Sequence, residues 1–442
     1  MKLSGWGNYP VIDADIKKFS TDNGLKEHLR DKHPLITRGS GRSYGDSSLN
    51  KNIISLLSLN SIHDFDENNG TIKCDAGVSL DKIIDKCILK GWFLSVTPGT
   101  KFITVGGAIA SDVHGKNHHK EGSFSDYIVS MDIMLPGGMI IRCSRVANYH
   151  LFLATCGGMG LTGIILNAVI RLKRIETAYI KQKTIRARNI YEMMELFEQY
   201  NNFTYSIAWI DCLSKGEKSG RGILMLGEHA TTKDMKKSDI SQNLLKIKKK
   251  KRFNIPFMFP DFTLNKLTVK IINVLIYNKH SKKAEDSIVD YDSFFYPVDG
   301  IHNWNRIYGK RGFTEYQFVL PKNACKDGII KILRKVNESK MGSFFAGLKL
   351  FGKENANLIS FPMEGFTLAL DFPISSELFA FLDQLDEIVT DYGGRLYLTK
   401  DARMSAEMFK KSYNKSEEFI IYKHKLDKEN QFQSLQSKRL NI

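Results

Sequence analysis

The chain predicts an α+β fold in two domains, and three observations carry that expectation. Its 442 residues exceed the roughly 100–200 of a typical domain. Its first third alternates short β-type runs with short helices and is dense in glycine. From about Glu176 the texture changes, with longer strand-like stretches around a lysine-rich middle.

In the first third, Ile53–Leu59, Thr71–Ala76, Tyr127–Leu135, Met139–Cys143 and Gly163–Leu172 read as strands, rich in β-branched and apolar residues. Leu80–Lys90 places Leu80, Ile83, Ile84, Cys87 and Ile88 at helical spacing, and Gly91 stands where a helix stops. Further on, Tyr205–Cys212 and Gly222–Leu226 read as strands and Leu264–Tyr277 as a helix. Gly365–Pro373 reads as a strand and Glu377–Tyr392 as an amphipathic helix. Gly393-Gly394 then caps that helix and opens a strand, Arg395–Thr399, with Lys400 at its end.

Composition narrows the class. Hydrophobic residues at 42% and charged residues at 25% fit a globular protein and exclude a collagen-like chain, an acidic disordered tail or a disulfide mini-protein. No uncharged apolar run approaches the roughly 18 residues of a spanning helix, and MKLSGWGNYP lacks the apolar core of a secretory signal. A soluble, cytoplasmic enzyme is the expectation. Six dispersed cysteines without a C-x-x-C pair point to reduced thiols and to no bound metal.

The formal net charge of +16 suits a polyanion: nucleic acid, an anionic membrane or a phosphorylated substrate. A solvated lysine-rich surface explains it equally. Lys246–Arg252 (KIKKKKR) followed by the aromatic run Phe253–Phe262 reads either as a peripheral contact with the anionic inner membrane or as a solvated loop. No nucleic-acid-binding module accompanies the charge, so nucleic acid is not an expected partner.

Three glycine-rich segments carry the chemistry. In Thr37–Asp46 (TRGSGRSYGD), Gly39, Gly41 and Gly45 let backbone N–H groups approach a phosphate. Ser40 and Ser43 add hydroxyls there, and Arg42 adds charge. Thr97–Thr100 (TPGT) and Thr104–His118 (TVGGAIASDVHGKNH) form the second. Its run of minimal side chains lets a flat aromatic cofactor lie on backbone, with His114 and Asn117 as polar neighbours. The third is Gly157–Ile164 (GGMGLTGI). Gly158-Met159-Gly160-Leu161-Thr162-Gly163 has the G-x-G-x-x-G spacing, but it opens a strand instead of a helix and does not follow a first strand, so the dinucleotide fingerprint is not met. No segment matches the G-x-x-x-x-G-K-[ST] phosphate loop.

Val96–Leu135 and Arg38–Asp46 closely resemble the decaprenylphosphoryl-β-D-ribose oxidases, FAD-linked oxidases of the vanillyl-alcohol-oxidase, or PCMH, type. The resemblance continues through NWNRIYGKRGFTEYQFVLP (303–321), GLKLFG (347–352), SFPMEGFTLALDFPI (360–374) and GGRLYLTKDAR (393–403). It implies a PCMH-type FAD-binding domain at 1–177 and an antiparallel-sheet substrate domain at 178–393, with a flexible basic segment near 228–290. A C-terminal segment, 394–442, would return to the first domain.

By the same resemblance, Arg38, Gly39, Ser40, Gly41, Arg42, Ser43, Tyr44 and Gly45, with Pro98, Gly99, Thr100 and Thr104, cradle the FAD pyrophosphate. Val105, Gly106, Gly107, Ala110, Ser111, His114, Gly115 and Asn117 line the flavin ring, and Gly163, Ile164 and Tyr397 complete the site. Members that bind FAD covalently use a His in the first glycine loop. Here that stretch holds Arg42-Ser43-Tyr44, which predicts non-covalent FAD.

The implied reaction oxidises the ribose 2′-hydroxyl of a polyprenyl-phosphate sugar to a ketone. A separate NAD(P)H-dependent short-chain reductase would complete a 2′-epimerisation to arabinose for cell-envelope glycans. Lys400 matches the family's active-site lysine, His114 is the alternative base, and Tyr44 sits in the same pocket. Gln317, Lys349, Thr367 and Ala369 match substrate-side positions. Mycobacterial members carry Asn and Cys at Thr367 and Ala369, and Gln at Glu315, so the altered wall leaves a soluble alditol, a sugar lactone or another glycan precursor open as substrate. The missing thiol predicts insensitivity to cysteine-seeking electrophiles.

Overall fold

In a computed structural model of the chain the described residues are 1–235, 243–248, 250–280, 282–339, 341, 343 and 345–442. The long apolar run Ile164–Arg174 lies at the centre of a mainly antiparallel sheet. Thr71–Asp75 pairs with it on one side and Ile128–Met134 on the other, with Ile62–Asp66 and Ile140–Cys143 at the edges. Trp92–Leu94 pairs with its far end. Beside this sheet, Asp15–Lys18, Asn52–Ser55 and Ile36–Arg38 form a small parallel sheet. The strand expected over Ile53–Leu59 stops at Ser55: the Leu56 N–H makes the last bond to the partner strand, at the Arg38 carbonyl, and the Leu59 N–H then turns back to the Leu56 carbonyl at 3.0 Å. Leu80–Cys87 is helical as its spacing predicts, and Gly91 ends the following turn at φ 77°, where a Cβ would be strained.

The second half is one antiparallel sheet of eight strands. Its order is Ala284–Asp290, Tyr179–Ala187, Gly222–His229, Tyr205–Ile210, Ala346–Phe351, Gly365–Pro373, Phe313–Pro321 and Arg395–Leu396. Side chains alternate faces along each strand. Phe318, Leu348, Leu368 and Leu370 point to one face, where the helices Ile190–Gln199, Cys325–Glu338 and Leu378–Asp391 bury them. Glu315, Gln317, Lys349, Ala369 and Asp371 therefore share the opposite face. That division positions the site.

Two expectations change in the lysine-rich middle and at Lys400. The segment near 228–290 contains the helix Lys266–Lys279, capped by the Asn265 side chain, and the edge strand Ala284–Asp290. Its two ends thus belong to the sheet, the stretch between them is largely exposed, and residues 236–242, 249 and 281 lie outside the described residues. Arg395–Thr399 is a strand only over Arg395–Leu396. The chain then turns, with the Lys400 N–H on the Tyr397 carbonyl at 2.9 Å, which swings Lys400 inward.

The C-terminal residues pack on the N-terminal strands. Gln433 N–H meets the Leu35 carbonyl, Leu435 N–H meets that of Leu49, and Arg439 pairs with both Asp46 and Asp401 at 2.8 and 2.9 Å. Among the described residues no helix is long and apolar enough to cross a membrane, and no His, Cys, Asp and Glu cluster is placed to hold a metal.

Candidate active site

Between the glycine-rich segments and the polar face of the eight-stranded sheet lies a cavity of about 690 Å³. Its first wall is backbone. Gly39, Ser40, Gly41, Arg42, Ser43 and Tyr44 line it, with Pro98, Gly99 and Thr100 beside them. Thr104, Gly106, Gly107, Ala110, Ser111, His114 and Gly163 continue the wall. The N–H groups of Ser40, Gly41, Arg42 and Ser43 have no acceptor among the described residues. A Cβ on Gly99 would meet nothing within 4 Å, and one on Gly107 only Thr104 Oγ1 at 3.2 Å. The cavity thus presents free amide donors and a groove that side chains at these glycines would fill. The Arg42 guanidinium is held over the Trp6 ring at 3.9 Å.

The second wall comes from the sheet. Gln317, Lys349 and Ala369 line it, as does Lys400 from the turn after Leu396, with Tyr397 closing the seam. Tyr397 donates its hydroxyl to the Ser111 carbonyl at 3.2 Å. Lys400 Nζ lies 3.1 Å from Glu315 Oε2 and 3.6 Å from the centre of the Tyr44 ring. Burial holds Lys349 down to about 8 and Lys116, also on the cavity, down to about 7. Both still gain charge readily beside an anion.

His114 is enclosed by Phe351, Phe361 and Tyr397, and burial pushes its pKa well below the ordinary imidazole range. It is a neutral ring at physiological pH. Its Nδ1 is buried without a hydrogen-bond partner among the described residues.

Several expected site residues stand behind the walls. Arg38 donates to the Ser4 carbonyl at 2.6 Å, and Asn117 donates to that of Ser95 at 2.8 Å. A Cβ on Gly45 would strike the Asp401 carbonyl at 1.7 Å, and one on Gly115 would meet Asn117 Oδ1 at 2.4 Å. Val105 and Ile164 are core residues. Thr367 is fully buried and donates to the Phe318 carbonyl at 2.8 Å. These seven support the walls rather than face the cavity. None of the six cysteines lines it, and all are buried and free.

Other cavity residues have no local signal: Trp6, Tyr308 and Asp371; Glu315, which the resemblance marks as a departure, lines the cavity as well. The loop behind His114 is pinned by one carboxylate. Asp112 accepts from Ser360 at 2.6 Å, from Asn355 and Asn357 at 2.8 Å, and from the Ser125 N–H at 3.0 Å. Charge-assisted bonds of this kind contribute about 1.5–3 kcal/mol each, enough to hold Asp112 at a positive φ of 38°.

The chain matches the FAD binding domain family over residues 24–144. It is 37% identical to the decaprenylphosphoryl-beta-D-ribose oxidase of Mycolicibacterium smegmatis, over all of this chain and 97% of that protein. It is 30% identical to a D-lactate dehydrogenase of Anaerostipes hadrus over 27% of this chain and 26% of that one. An L-gulonolactone oxidase of Scyliorhinus torazame is 29% identical over 30% of each.

The amide-lined groove facing a polar wall, with these similarities, defines an FAD-dependent oxidoreductase acting on an alcohol. The free N–H groups, the glycine groove and the buried neutral imidazole fit FAD. Within that class, the chain belongs to the decaprenylphosphoryl-β-D-ribose oxidase family.

Proposed function

We propose that the chain oxidises the 2′-hydroxyl of a polyprenyl-phosphoryl-β-D-ribose to the ketone, the first half of a 2′-epimerisation to the arabinose form. The observation that carries this reading is the meeting, in one cavity, of the glycine groove with Lys400, Gln317 and Lys349. The Ser40–Ser43 amides and Arg42 would hold the FAD pyrophosphate, and Gly106, Gly107, Ala110 and Ser111 would lie against the flavin ring. FAD supplies the two-electron acceptor. With no His in the 38–46 loop, the cofactor is held non-covalently.

The protein's own residues position the sugar. The Lys400 ammonium donates to the reacting oxygen, Gln317 fixes His114 beside it, and Lys349 and Lys116 supply charge for the phosphate. The reading includes the division at 1–177, 178–393 and 394–442. It also includes a short-chain, NAD(P)H-dependent reductase that consumes the keto sugar, and a cytoplasmic protein that meets the anionic inner membrane peripherally.

The experiment is an anaerobic visible spectrum before and after adding a short-chain prenyl-phosphoryl ribose. The flavin band is expected to bleach. A yellow protein that stays yellow with this sugar but bleaches with a soluble alditol or lactone supports the second reading, which the altered wall at Glu315 and Ala369 allows. A colourless protein that cannot be reconstituted with FAD overturns both.

A further inference from the structure

Of the three carboxylates that line the cavity, Asp299 accepts the Lys101 N–H at 3.0 Å and Asp371 the Tyr308 hydroxyl, while Glu315 faces the active-site lysine. Glu315 Oε2 lies 3.1 Å from Lys400 Nζ, and the Glu315 side chain, 12% exposed, opens only onto the cavity. Lys400 is held from a second side by the Tyr44 ring. These two contacts fix the direction in which the Lys400 ammonium points. An ammonium is a hydrogen-bond donor and no base.

The titratable groups that face Glu315 come from five other elements: Tyr44 of the first glycine loop, Tyr308 of the turn Trp304–Tyr308, Lys349 and Asp371 of two strands of the same sheet, and Tyr397 and Lys400 of the turn after Leu396. Burial raises the Tyr44 and Tyr308 phenols well above their ordinary value, so both stay protonated. Asp371 is fully enclosed, burial raises its carboxyl well above the ordinary carboxylate range, and it accepts the Tyr308 hydroxyl at 3.0 Å. His114 has its Nε2 occupied by Gln317 and its basicity removed by burial. Lys349, at about 8, is largely an ammonium at neutral pH.

We propose that the Glu315 carboxylate takes the proton of the substrate hydroxyl while the Lys400 ammonium, which Glu315 holds, donates a hydrogen bond to that same oxygen. The proposal rests on the sugar-alcohol reading. In the step the substrate O–H bond breaks and its proton passes to Glu315. The C–H bond breaks with its electron pair, which leaves as hydride to FAD, and a C=O bond forms. The sugar loses two electrons and FAD gains them. On the cavity wall the carboxylate of Glu315 and the ammonium of Lys400 form a donor and acceptor pair side by side, the arrangement that transfer of one hydroxyl proton requires.

Two measurements on the flavin-loaded protein test this. Stopped-flow bleaching across pH compares the wild type with Glu315→Gln and Glu315→Asp. Glu315→Gln gives position 315 the residue of the mycobacterial members, so it is expected to slow bleaching only about tenfold, below the full range for loss of a general base, with little change in half-saturation, and to abolish the fall in rate toward acid pH; Glu315→Asp restores part of the rate. The second measurement needs no substrate: acylation of Lys400 by a soluble reagent, followed by peptide mass across pH. Without the carboxylate, the labelling midpoint moves to lower pH, and labelling near neutral pH rises about tenfold. Bleaching of Glu315→Gln within threefold of wild type, or an unmoved labelling midpoint, overturns the proposal. If the wild type ignores the lipid-linked ribose, the substrate reading fails alone. The pH series is then run with the alcohol that does bleach it, and labelling decides the ion pair in either case.

Discussion

Gln317 donates its side-chain N–H to Nε2 of His114 across 3.2 Å, and that bond sets the tautomer of the imidazole. With Nε2 accepting, the ring proton resides on Nδ1, the atom left without a partner. The same amide nitrogen donates to Thr367 Oγ1 at 3.1 Å, so one side chain ties the glycine-rich wall to the sheet wall.

Gln317→Leu keeps the volume and removes both donations. Two buried acceptors then lose their donor, at about 1–3 kcal/mol each. The expected result is a lower denaturant midpoint with an unchanged slope, read by circular dichroism on the flavin-loaded protein. An unchanged midpoint would show that the bridge contributes nothing.

The groove makes a prediction about cofactor retention. Gly107 lies in the helix Val105–Ala110, exposed toward the cavity. Gly107→Leu improves helix propensity by about 0.8–1 kcal/mol and places four carbons where FAD would lie. The variant should purify folded, with wild-type secondary structure, and colourless. A yellow Gly107→Leu protein would move the flavin elsewhere.

The glycine segments are legible in the sequence because close approach of a ligand to backbone requires small residues whatever the surrounding fold. The first strands and the helix Leu80–Cys87 are legible for a similar reason, since period alone places them. The back wall is not. Glu315, Gln317, Lys349 and Asp371 lie on three strands that become neighbours only when Gly365–Pro373 enters between Ala346–Phe351 and Phe313–Pro321. No local pattern encodes that register. Lys400 shows the other limit: the residue is identified by resemblance, yet the turn that aims it depends on a backbone bond to Tyr397 and on Glu315 across the sheet. Trp6 reaches the cavity from the N-terminus, with nothing near it in sequence to signal the role.

Buried histidines give the protein an acid limit. Burial pushes His118 and His229 down to about 3, from an ordinary value near 6.5. His118 accepts the Gly352 N–H at 3.2 Å, which suits the neutral ring, and both ring nitrogens of His229 are buried without partners among the described residues. The unfolded chain binds protons at these rings below its own pKa of about 6.5, and the folded chain does not until about 3. Their contribution is therefore complete above about pH 6.5 and is lost as pH falls through that window. Together they remove about 4 kcal/mol between about pH 7 and pH 5. His229→Phe, placed among Phe93, Tyr205 and Phe295, should remove about half of that slope in a series of melting curves. An unchanged slope would assign the acid limit to carboxylates.

The lysine-rich middle carries an apolar face turned to solvent. A surface helix normally turns its apolar stripe inward. On Lys266–Lys279, Leu267, Ile271, Val274 and Leu275 face outward instead, and Phe253, Phe257 and Phe262 stand 73%, 63% and 78% exposed beside them. Lys246, Lys248, Lys251, Arg252, Lys266 and Lys270 surround this patch with positive charge. Ile276, Lys279 and His280 of the same segment line the cavity, so the exposed stripe adjoins the route by which a lipid-linked sugar would enter. Basic residues near an anionic bilayer contribute about 1 kcal/mol each, and inserted aromatics add to that. Flotation with vesicles of phosphatidylglycerol and phosphatidylcholine should therefore carry the protein upward at low salt and lose it at high salt. Replacing Phe257, Phe262 and Leu275 together with serine should weaken binding more than tenfold while a short-chain, water-soluble substrate still bleaches the flavin at the wild-type rate. Equal flotation of the triple variant would assign the patch to something other than lipid.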